Sequence, residues 1–519
     1  MIELAKIFSD GMILQREKAA AVWGRADAGA EVAVSVQGQQ GKTTAGQDGA
    51  WKVLLPPLHA STGEVMIVES QGETITVQDV AVGEVWIAGG QSNMEFPLCY
   101  EKNREQELGN GNRNLRFYDV PEKFYEEQDV DFDYSNVGIW RKAEGESLTY
   151  FSAAGYYFQK ELEAELSVPV GIVGCNWGGT KSCAWMDEKT VERVGAPWAE
   201  EWRKVTAGMD MDRFWTEQRK NPQSNAGNPA RDPFSAFILP TTPTLREIAA
   251  FLRSTAKAAG MPVDDNADIE EQMAASQPGV DARTKPGILF EHMVKKIAPY
   301  TARGVIWYQG ESDDEVEGLQ RLYADMMEGL IGDWRRIWED ENLPFIQVQL
   351  PGWASWMLFG NNDFVTIRRC QEDVAKRVPH VYLASISDVG EERDIHPKDK
   401  KTVGHRLALL ARHYVYGEEL LCEAPRPEKA ERDGRKIVIT FQYAGSGLRV
   451  AGESIQALRV TADGEALGFT AKAAGRSLVL ELDTETKGEV CVEFAQDKWY
   501  QVNLFNEAGI PAIPFRVSC

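Results

Sequence analysis

A serine follows the end of a hydrophobic segment of the sequence. Residues 81–96 read AVGEVWIAGGQSNMEF, the pattern of a buried strand that turns on two glycines before it reaches Ser92. Parallel sheets bind ligands at the carboxyl ends of their strands, and a helix that starts at such a serine directs its free N–H groups toward an oxyanion. Ser92 is therefore a candidate nucleophile, provided that a base takes its proton. The alternative is that Ser92 only caps a helix.

His396 is the candidate base among the six histidines. It follows the predicted strand Val381–Ile386, so it also stands at a carboxyl end, and Pro397 stiffens its loop. Asp394 could hold the imidazole ring and stabilise its protonated form, although a solvated Asp–His pair on a surface loop fits the same residues. If His396 is the base, its ordinary pKa of about 6.5 predicts a rate that rises with pH through that value.

Two further predicted strands end in residues that suit acyl chemistry. The glycine pair at 178–179 follows the strand Val168–Val173 and exposes N–H groups that could stabilise an oxyanion. Gln309 could add a side-chain N–H. Trp307 fits either a pocket wall or the core, and Glu311 fits either a buried carboxylate that orients its neighbours or a loop acid. Four such strand ends at one edge of a sheet indicate a hydrolase that forms an acyl–serine.

The middle of the chain predicts the sheet that positions these residues. Continuous apolar strands alternate there with amphipathic helices, which is typical of a parallel sheet covered on both faces. The predicted strands are Val82–Ala88, Val168–Val173, Gly304–Tyr308, Phe345–Leu350 and Val381–Ile386, and the predicted helices include Phe151–Leu166 and Val316–Trp338. We therefore predict an α/β domain at the centre of the chain.

Short alternating runs with turn residues between them flank this α/β domain on both sides. They predict a small antiparallel sandwich at 1–80 and a second β-rich module at 422–519. The α/β domain then occupies 81–421. Within it the pattern loosens at about 187–285, which predicts an insertion that is either a lid or a plain surface excursion.

Net charge and cysteine content limit the partners and the compartment that we expect for this protein. The 519 residues carry a formal charge of −23, which repels phosphate backbones and anionic lipid and argues against nucleic acid or a membrane as partner. Seven cysteines without a CxxC pair suit a reducing compartment and argue against a structural zinc site. The N-terminus lacks the pattern of a signal peptide. We therefore expect a cytoplasmic protein.

Four short stretches together resemble the SGNH (GDSL-like) hydrolases, and within them the sialate O-acetylesterase family of carbohydrate esterases. They are GQSNM at 90–94, WGGT at 177–180, WYQGES at 307–312 and DIHP at 394–397. The likeness extends to FSDGMILQ at 8–15 and VNLFNEAGIPAIPFR at 502–516, so it covers nearly the whole chain apart from the insertion. It implies an SGNH-hydrolase-like three-layer α/β/α parallel sheet flanked by β-sandwich-like modules.

The resemblance also implies roles for individual residues. Ser92 would be the nucleophile and His396 the general base, and the N–H groups of Ser92, Gly179 and Gln309 would form the oxyanion hole. The side chains predicted to line the substrate pocket are Gln91, Asn93, Trp177, Trp307 and Glu311.

Two positions depart from the family pattern. Asp313 stands where sialate esterases commonly carry Asn, and an ionised carboxylate cannot donate a hydrogen bond. The acid that orients the histidine usually lies three residues before it, where this chain has Arg393. Asp394, Asp388 or a backbone carbonyl is then left to orient His396.

The activity implied by the resemblance is hydrolysis of O-acetyl esters on sugars, most readily those of sialic acid. Acetylated plant glycans such as acetylxylan are an alternative substrate for the same machinery. A non-catalytic glycan-binding protein on the same fold is an alternative from another class. The chemistry requires no metal and no organic cofactor, and the sequence leaves the oligomeric state and the attacked sugar position open.

Overall fold

The structure is a computed structural model that describes residues 1–125, 138–220, 257, 280–355 and 363–519. The chain forms two compact units. The first comprises Met1–Val305 and Asp325–Leu343, and the second comprises Ile306–Ala324 and Pro344–Cys519.

The first unit begins with short β-strands. They are β1 Glu3–Leu4, β2 Ile13–Gln15, β3 Ala20–Arg25, β4 Glu31–Val36, β5 Gln39–Thr44, β6 Ala50–Leu55 and β7 Ser61–Ser70. β1, β3 and β6 form an antiparallel sheet, and β4 pairs antiparallel with β5 and β7. Every second residue of β4 is buried, because side chains alternate between the two faces of a strand. These strands all lie within the first 80 residues, and their assignment to a separate N-terminal module stays a prediction.

β8, Glu73–Gly90, is the longest strand of the unit and leads to Ser92. Its first part pairs antiparallel with β7, and its last seven residues pair parallel with β11, Val170–Asn176. β9, Asn112–Asp119, and β10, Trp140–Ala143, continue this sheet in the order β10-β9-β11-β8. All seven residues of β11 are buried, which explains why its sequence is continuously apolar rather than alternating.

Helices connect these strands in the first unit. They are α1 Ser92–Glu95, α2 Arg104–Glu107, α3 Ala153–Leu166, α4 Glu188–Val194, α5 Ala196–Val205, α6 Met211–Lys220 and α7 Lys295–Ile297, with a π-helical turn at Phe290–Val294 and short 3-10 turns at Leu98–Tyr100, Gly145–Leu148, Ser182–Trp185 and Ala282–Thr284. The predicted insertion thus starts with three helices, and its remainder at 221–256 and 258–279 lies outside the described residues.

The chain passes between the units in the strand β12, Gly304–Tyr308, and again in the helix α8, Tyr323–Trp338. α8 starts seven residues later than the predicted helix Val316–Trp338. The reason is Gly318, whose φ of +85° is left-handed and incompatible with a right-handed helix. Short 3-10 turns at Ser312–Asp314 and Gln320–Leu322 fill this part of the chain.

The second unit continues with the α/β pattern and ends in β-sheets. β13 Phe345–Gln349 pairs parallel with β14 Val381–Ser385, and the helices are α9 Val365–Arg377 and α10 Lys400–Tyr414. The later strands are β15 Arg426–Asp433, β16 Lys436–Gln442, β17 Arg449–Val450, β18 Leu458–Ala462, β19 Glu465–Ala466, β20 Phe469–Ala474, β21 Ser477–Leu482, β22 Val490–Phe494, β23 Leu504–Phe505 and β24 Phe515–Ser518. They form the sheets β15-β16-β21-β20, β17-β23 and β19-β18-β22-β24 around one apolar core.

The mixed α/β class and all five predicted strands of the central domain are confirmed. β8 starts nine residues before the predicted Val82, because it continues the strand that pairs with β7, and the other strand ends shift by at most three residues. The three-layer arrangement, the sandwich form of the terminal modules and the boundaries near 80 and 421 stay predictions. Within the described ranges no helix is long and apolar enough to cross a membrane. Cytoplasmic location stays a prediction.

Candidate active site

Ser92 is the first helical residue after β8. Gly90 turns the chain with a φ of +135°, a region that favours glycine. Gln91 occupies the cap position, and its carbonyl accepts hydrogen bonds from the N–H groups of Met94 and Glu95 at 2.8 and 3.0 Å. Ser92 therefore does not cap the helix, which removes the structural alternative for this residue. Its side chain remains partly exposed while those on either side of it are buried.

The glycine pair at 178–179 lies directly against Ser92. Asn176, the last residue of β11, pairs in register with Gly90, and a Cβ added to Gly178 would lie only 3.2 Å from the Ser92 Cβ. Only glycine allows this approach without a shift of its neighbours. The first unit thus brings together the motifs GQSNM at 90–94 and WGGT at 177–180, which are distant in the sequence.

The backbone N–H groups of Gly178 and Gly179 differ, because only the first donates a hydrogen bond within the described part of the chain. The Gly178 N–H donates to Glu95 Oε2 at 2.7 Å. Gly179 has a left-handed φ of +72°, and among the residues that the structure describes none accepts a hydrogen bond from its N–H. A backbone donor without a partner beside a serine is what an oxyanion hole requires.

The predicted pocket residues of the first unit are all buried. Gln91 and Asn93 keep 3% and 1% of their surface exposed, and Trp177 keeps 3%. The Trp177 ring lies 5.5 Å from the guanidinium carbon of Arg283. Sequence reasoning missed Arg283, because it lies at the end of the predicted insertion and no local pattern marks it.

In the second unit Gln309 is held in one orientation. It is fully buried, its amide nitrogen donates to the Asp313 carboxylate, and its amide oxygen accepts the Tyr323 hydroxyl at 3.0 Å. Asp313 therefore serves as an acceptor that orients Gln309, a role that needs no donor and suits the carboxylate found in place of Asn.

Trp307 and Glu311, which flank Gln309, are also buried. Trp307 is 0% exposed and Glu311 3% exposed. Full burial of the indole within β12 fits the alternative of core packing better than a pocket wall. Burial of Glu311 favours a carboxylate that acts on its neighbours over a loop acid.

His396 lies in the loop between β14 and α10 and is 4% exposed. Its backbone N–H donates to Asp394 Oδ1 at 2.9 Å, whereas its ring Nδ1 lies 3.7 Å from the same oxygen. The second distance exceeds that of a hydrogen bond, so Asp394 holds the backbone of His396 rather than its ring. Asp388, the other candidate acid, binds Arg406 through both carboxylate oxygens.

No group of three or more His, Cys, Asp or Glu side chains in the described parts of the chain is arranged to hold a metal ion. Within the first unit a serine lies beside a backbone amide donor, which is the local arrangement that nucleophilic acyl transfer uses.

Comparisons with known proteins agree with this chemistry. Residues 274–412 match the family described as carbohydrate esterase, sialic acid-specific acetylesterase. The sialate O-acetylesterase of Rattus norvegicus is 28% identical over 476 residues, which are 85% of this chain and 78% of that protein. The sialate O-acetylesterase of Homo sapiens is 27% identical over 475 residues, which are 85% and 76%.

A solved structure gives the same result for the whole chain. The crystal structure of a carbohydrate acetylesterase from Xanthomonas citri superposes with a TM-score of 0.75 at 29% identity, covering 100% of this chain and 99% of that one. The chain is thus similar to sialate O-acetylesterases and to a carbohydrate acetylesterase over most of its length. The family predicted from the four motifs is confirmed, and so is the prediction of an ester hydrolase.

A buried lysine adds a positive charge near the histidine of this esterase. Lys400, the first residue of α10, is 0% exposed, and its Nζ lies 5.1 Å from the centroid of the Tyr308 ring. Burial lowers the pKa of Lys400 to about 7, and the carboxylates of Glu311 and Asp394 oppose this decrease. Sequence reasoning missed Lys400, although a lysine in the first turn of a helix opposes the helix dipole and was a usable signal.

Burial also sets the protonation state of His396. It lowers the pKa of His396 to about 3, and the positive charge of Lys400 acts in the same direction. The imidazole is then neutral at physiological pH and able to accept a proton. The rate increase near pH 6.5 expected for an ordinary histidine is therefore not expected from His396 in this esterase. Burial raises the pKa of Asp394 to about 6, although the hydrogen bond from the His396 N–H lowers it.

Proposed function

We propose that this esterase removes acetyl groups from sugar hydroxyls through a covalent acetyl–Ser92 intermediate. The observation that carries the proposal is the closeness of Ser92 to Gly178, where an added Cβ would lie 3.2 Å from the Ser92 Cβ, next to the Gly179 N–H that has no acceptor among the described residues. A nucleophile needs such a donor beside it, because the carbonyl oxygen becomes negatively charged as the nucleophile attacks.

The mechanism assigns one role to each candidate residue. Ser92 Oγ attacks the acetyl carbonyl while neutral His396 accepts the hydroxyl proton. The N–H groups of Ser92 and Gly179 and the Gln309 amide stabilise the oxyanion. The sugar hydroxyl leaves with the proton from His396. Water, activated by His396, then hydrolyses the acetyl–serine and releases acetate.

O-acetylated sialic acid is the proposed substrate. Two relatives that align with 85% of the chain are named sialate O-acetylesterases, which supports this choice. The Xanthomonas citri protein is named a carbohydrate acetylesterase, which supports an acetylated sugar without specifying it. Acetylated xylooligosaccharides are therefore the comparison substrate.

The test compares the native protein with Ser92→Ala on p-nitrophenyl acetate, O-acetylated sialic acid and acetylated xylooligosaccharides. Ser92→Ala is expected to lower kcat/KM by about 10³-fold or more on every substrate that is turned over. Ser454→Ala, at an exposed serine of the second unit, is the matched control and should leave the rates unchanged. Equal rates for the native protein and Ser92→Ala would refute the proposal. Faster acetate release from the xylooligosaccharides would reassign the substrate only.

A further inference from the structure

The carbonyl of Gly178 is bound by an arginine from a distant part of the chain. Arg283 Nη1 donates to the Gly178 oxygen at 3.1 Å across 105 positions of sequence. In a trans peptide the C=O of one residue and the N–H of the next lie in one plane and point in opposite directions. A guanidinium that fixes the Gly178 oxygen therefore also fixes the direction of the Gly179 N–H.

Because Gly178 and Gly179 are both glycines, their backbone needs a restraint from another part of the chain to stay in one conformation. Two consecutive glycines have more accessible backbone conformations than any other pair, and a Cβ on Gly179 would meet no atom closer than Arg283 Nη2 at 3.9 Å. The hydrogen bond from the Gly178 N–H to Glu95 fixes the preceding peptide. The bond from Arg283 fixes the following one, whose N–H is the proposed oxyanion donor.

Arg283 is itself anchored by Asp281. Its Nε lies 3.0 Å from each carboxylate oxygen of Asp281 and its Nη2 lies 2.6 Å from Oδ2. The backbone N–H of Arg283 donates to the same carboxylate at 2.9 Å. Although burial opposes it, the charge of Arg283 lowers the pKa of Asp281, so the pair stays ionised at neutral pH. A two-pronged pair of this kind holds the guanidinium plane in a defined orientation.

We propose that Arg283 is a positioning residue for the oxyanion donor Gly179, with Asp281 as its anchor. The inference rests on the proposed function, in which Gly179 donates to the oxyanion. Because the Asp281 carboxylate neutralises the guanidinium, the pair is better suited to orient a peptide than to bind an anionic part of the substrate. A hydrogen bond at the carbonyl also polarises the peptide and strengthens donation from its N–H.

The test separates orientation from substrate binding by steady-state kinetics of Arg283→Met on p-nitrophenyl acetate and O-acetylated sialic acid. Arg283→Met is expected to lower kcat by about 10-fold to 100-fold on both substrates, less than the full loss of an oxyanion donor, with KM changed less than about twofold. Arg283→Lys, which retains a single donor, should recover part of kcat. The control Arg203→Met removes an exposed ion pair with Glu192 of the same unit and should leave kcat unchanged.

A KM increase on the sialic acid substrate alone, with kcat unchanged, would overturn the inference in favour of a substrate-binding arginine. Unchanged kcat on both substrates would also overturn it. If circular dichroism shows that Arg283→Met does not fold, Asp281→Asn takes its place and must lower kcat by at least about threefold without a matching change in KM. Unchanged kcat in Arg283→Met together with an inactive Ser92→Ala would refute this inference alone, whereas an active Ser92→Ala would refute the proposed function.

Discussion

The residues around Ser92 in the first unit, here the serine region, and those around His396 in the second unit, here the histidine region, differ in the kind of polar group they contain. Around Ser92 the polar groups that matter are backbone amides at glycines, held by Glu95 and Arg283. Around His396 they are buried ionisable side chains, with Lys400 and Asp394 displaced far from their ordinary pKa values.

The difference separates two requirements of catalysis. A backbone N–H does not titrate at ordinary pH. The geometry of the serine region should therefore affect kcat equally at every pH. In the proposed mechanism His396 exchanges a proton, and the charges around it decide at which pH it can do so. Substitutions in the first region should therefore change kcat at every pH, whereas substitutions in the second should also change the shape of the pH profile.

The largest effect is expected in the histidine region from His396→Ala. Removal of the general base should lower kcat/KM on p-nitrophenyl acetate by about 10³-fold or more. His405→Ala, at an exposed histidine on α10, is the control and should retain native rates. Retention of more than a tenth of the native rate in His396→Ala would contradict the assignment of the base.

A pair of substitutions at Asp394 tests whether this carboxylate holds the backbone or the ring of His396. Asn keeps an acceptor for the His396 N–H, so Asp394→Asn should lower kcat by only a few-fold, whereas Asp394→Ala should lower it by about 10-fold or more. Where an aspartate orients a catalytic imidazole, its replacement by Asn lowers kcat by about 10⁴-fold. A loss of that size in Asp394→Asn would show that Asp394 acts on the ring.

The smallest effect at neutral pH, and the most specific one, is expected from Lys400→Met. The positive charge of Lys400 lowers the pKa of His396, so its removal should raise that pKa toward the ordinary value of about 6.5. A base with a higher pKa is protonated sooner on acidification, and the acid limb of kcat/KM should move to higher pH. The profile of Lys401→Met, at an exposed neighbour, should match the native one. An acid limb in Lys400→Met at the native position or at lower pH would contradict the role of Lys400.

The sequence predicted the strands that lead to the candidate residues, because strands depend on local patterns, and the roles assigned to those residues from the motifs stay predictions. Apolar runs marked the strands that end near Ser92 and His396, and short motifs marked the residues after them. The sequence did not predict Arg283, because the partner of its side chain lies 105 positions away and outside any periodic pattern. It left open whether Asp394, Asp388 or a backbone carbonyl orients the imidazole, since spacing alone does not distinguish a bond to a ring from a bond to the backbone of the same residue.

β8 is one continuous strand. It starts among the N-terminal strands and ends two residues before Ser92. The pairing with β7 shifts register between Val77 and Val82, where Asp79 has a left-handed φ of +54°, whereas the pairing of Glu84–Gly90 with β11 is regular. A one-residue slip in a strand reverses the face to which every side chain points. A residue inserted or deleted within Glu84–Gly90 would therefore disrupt the pairing with β11 and displace Ser92 relative to Gly178, whereas the irregular stretch at 77–82 has the form of a bulge that can absorb such a change.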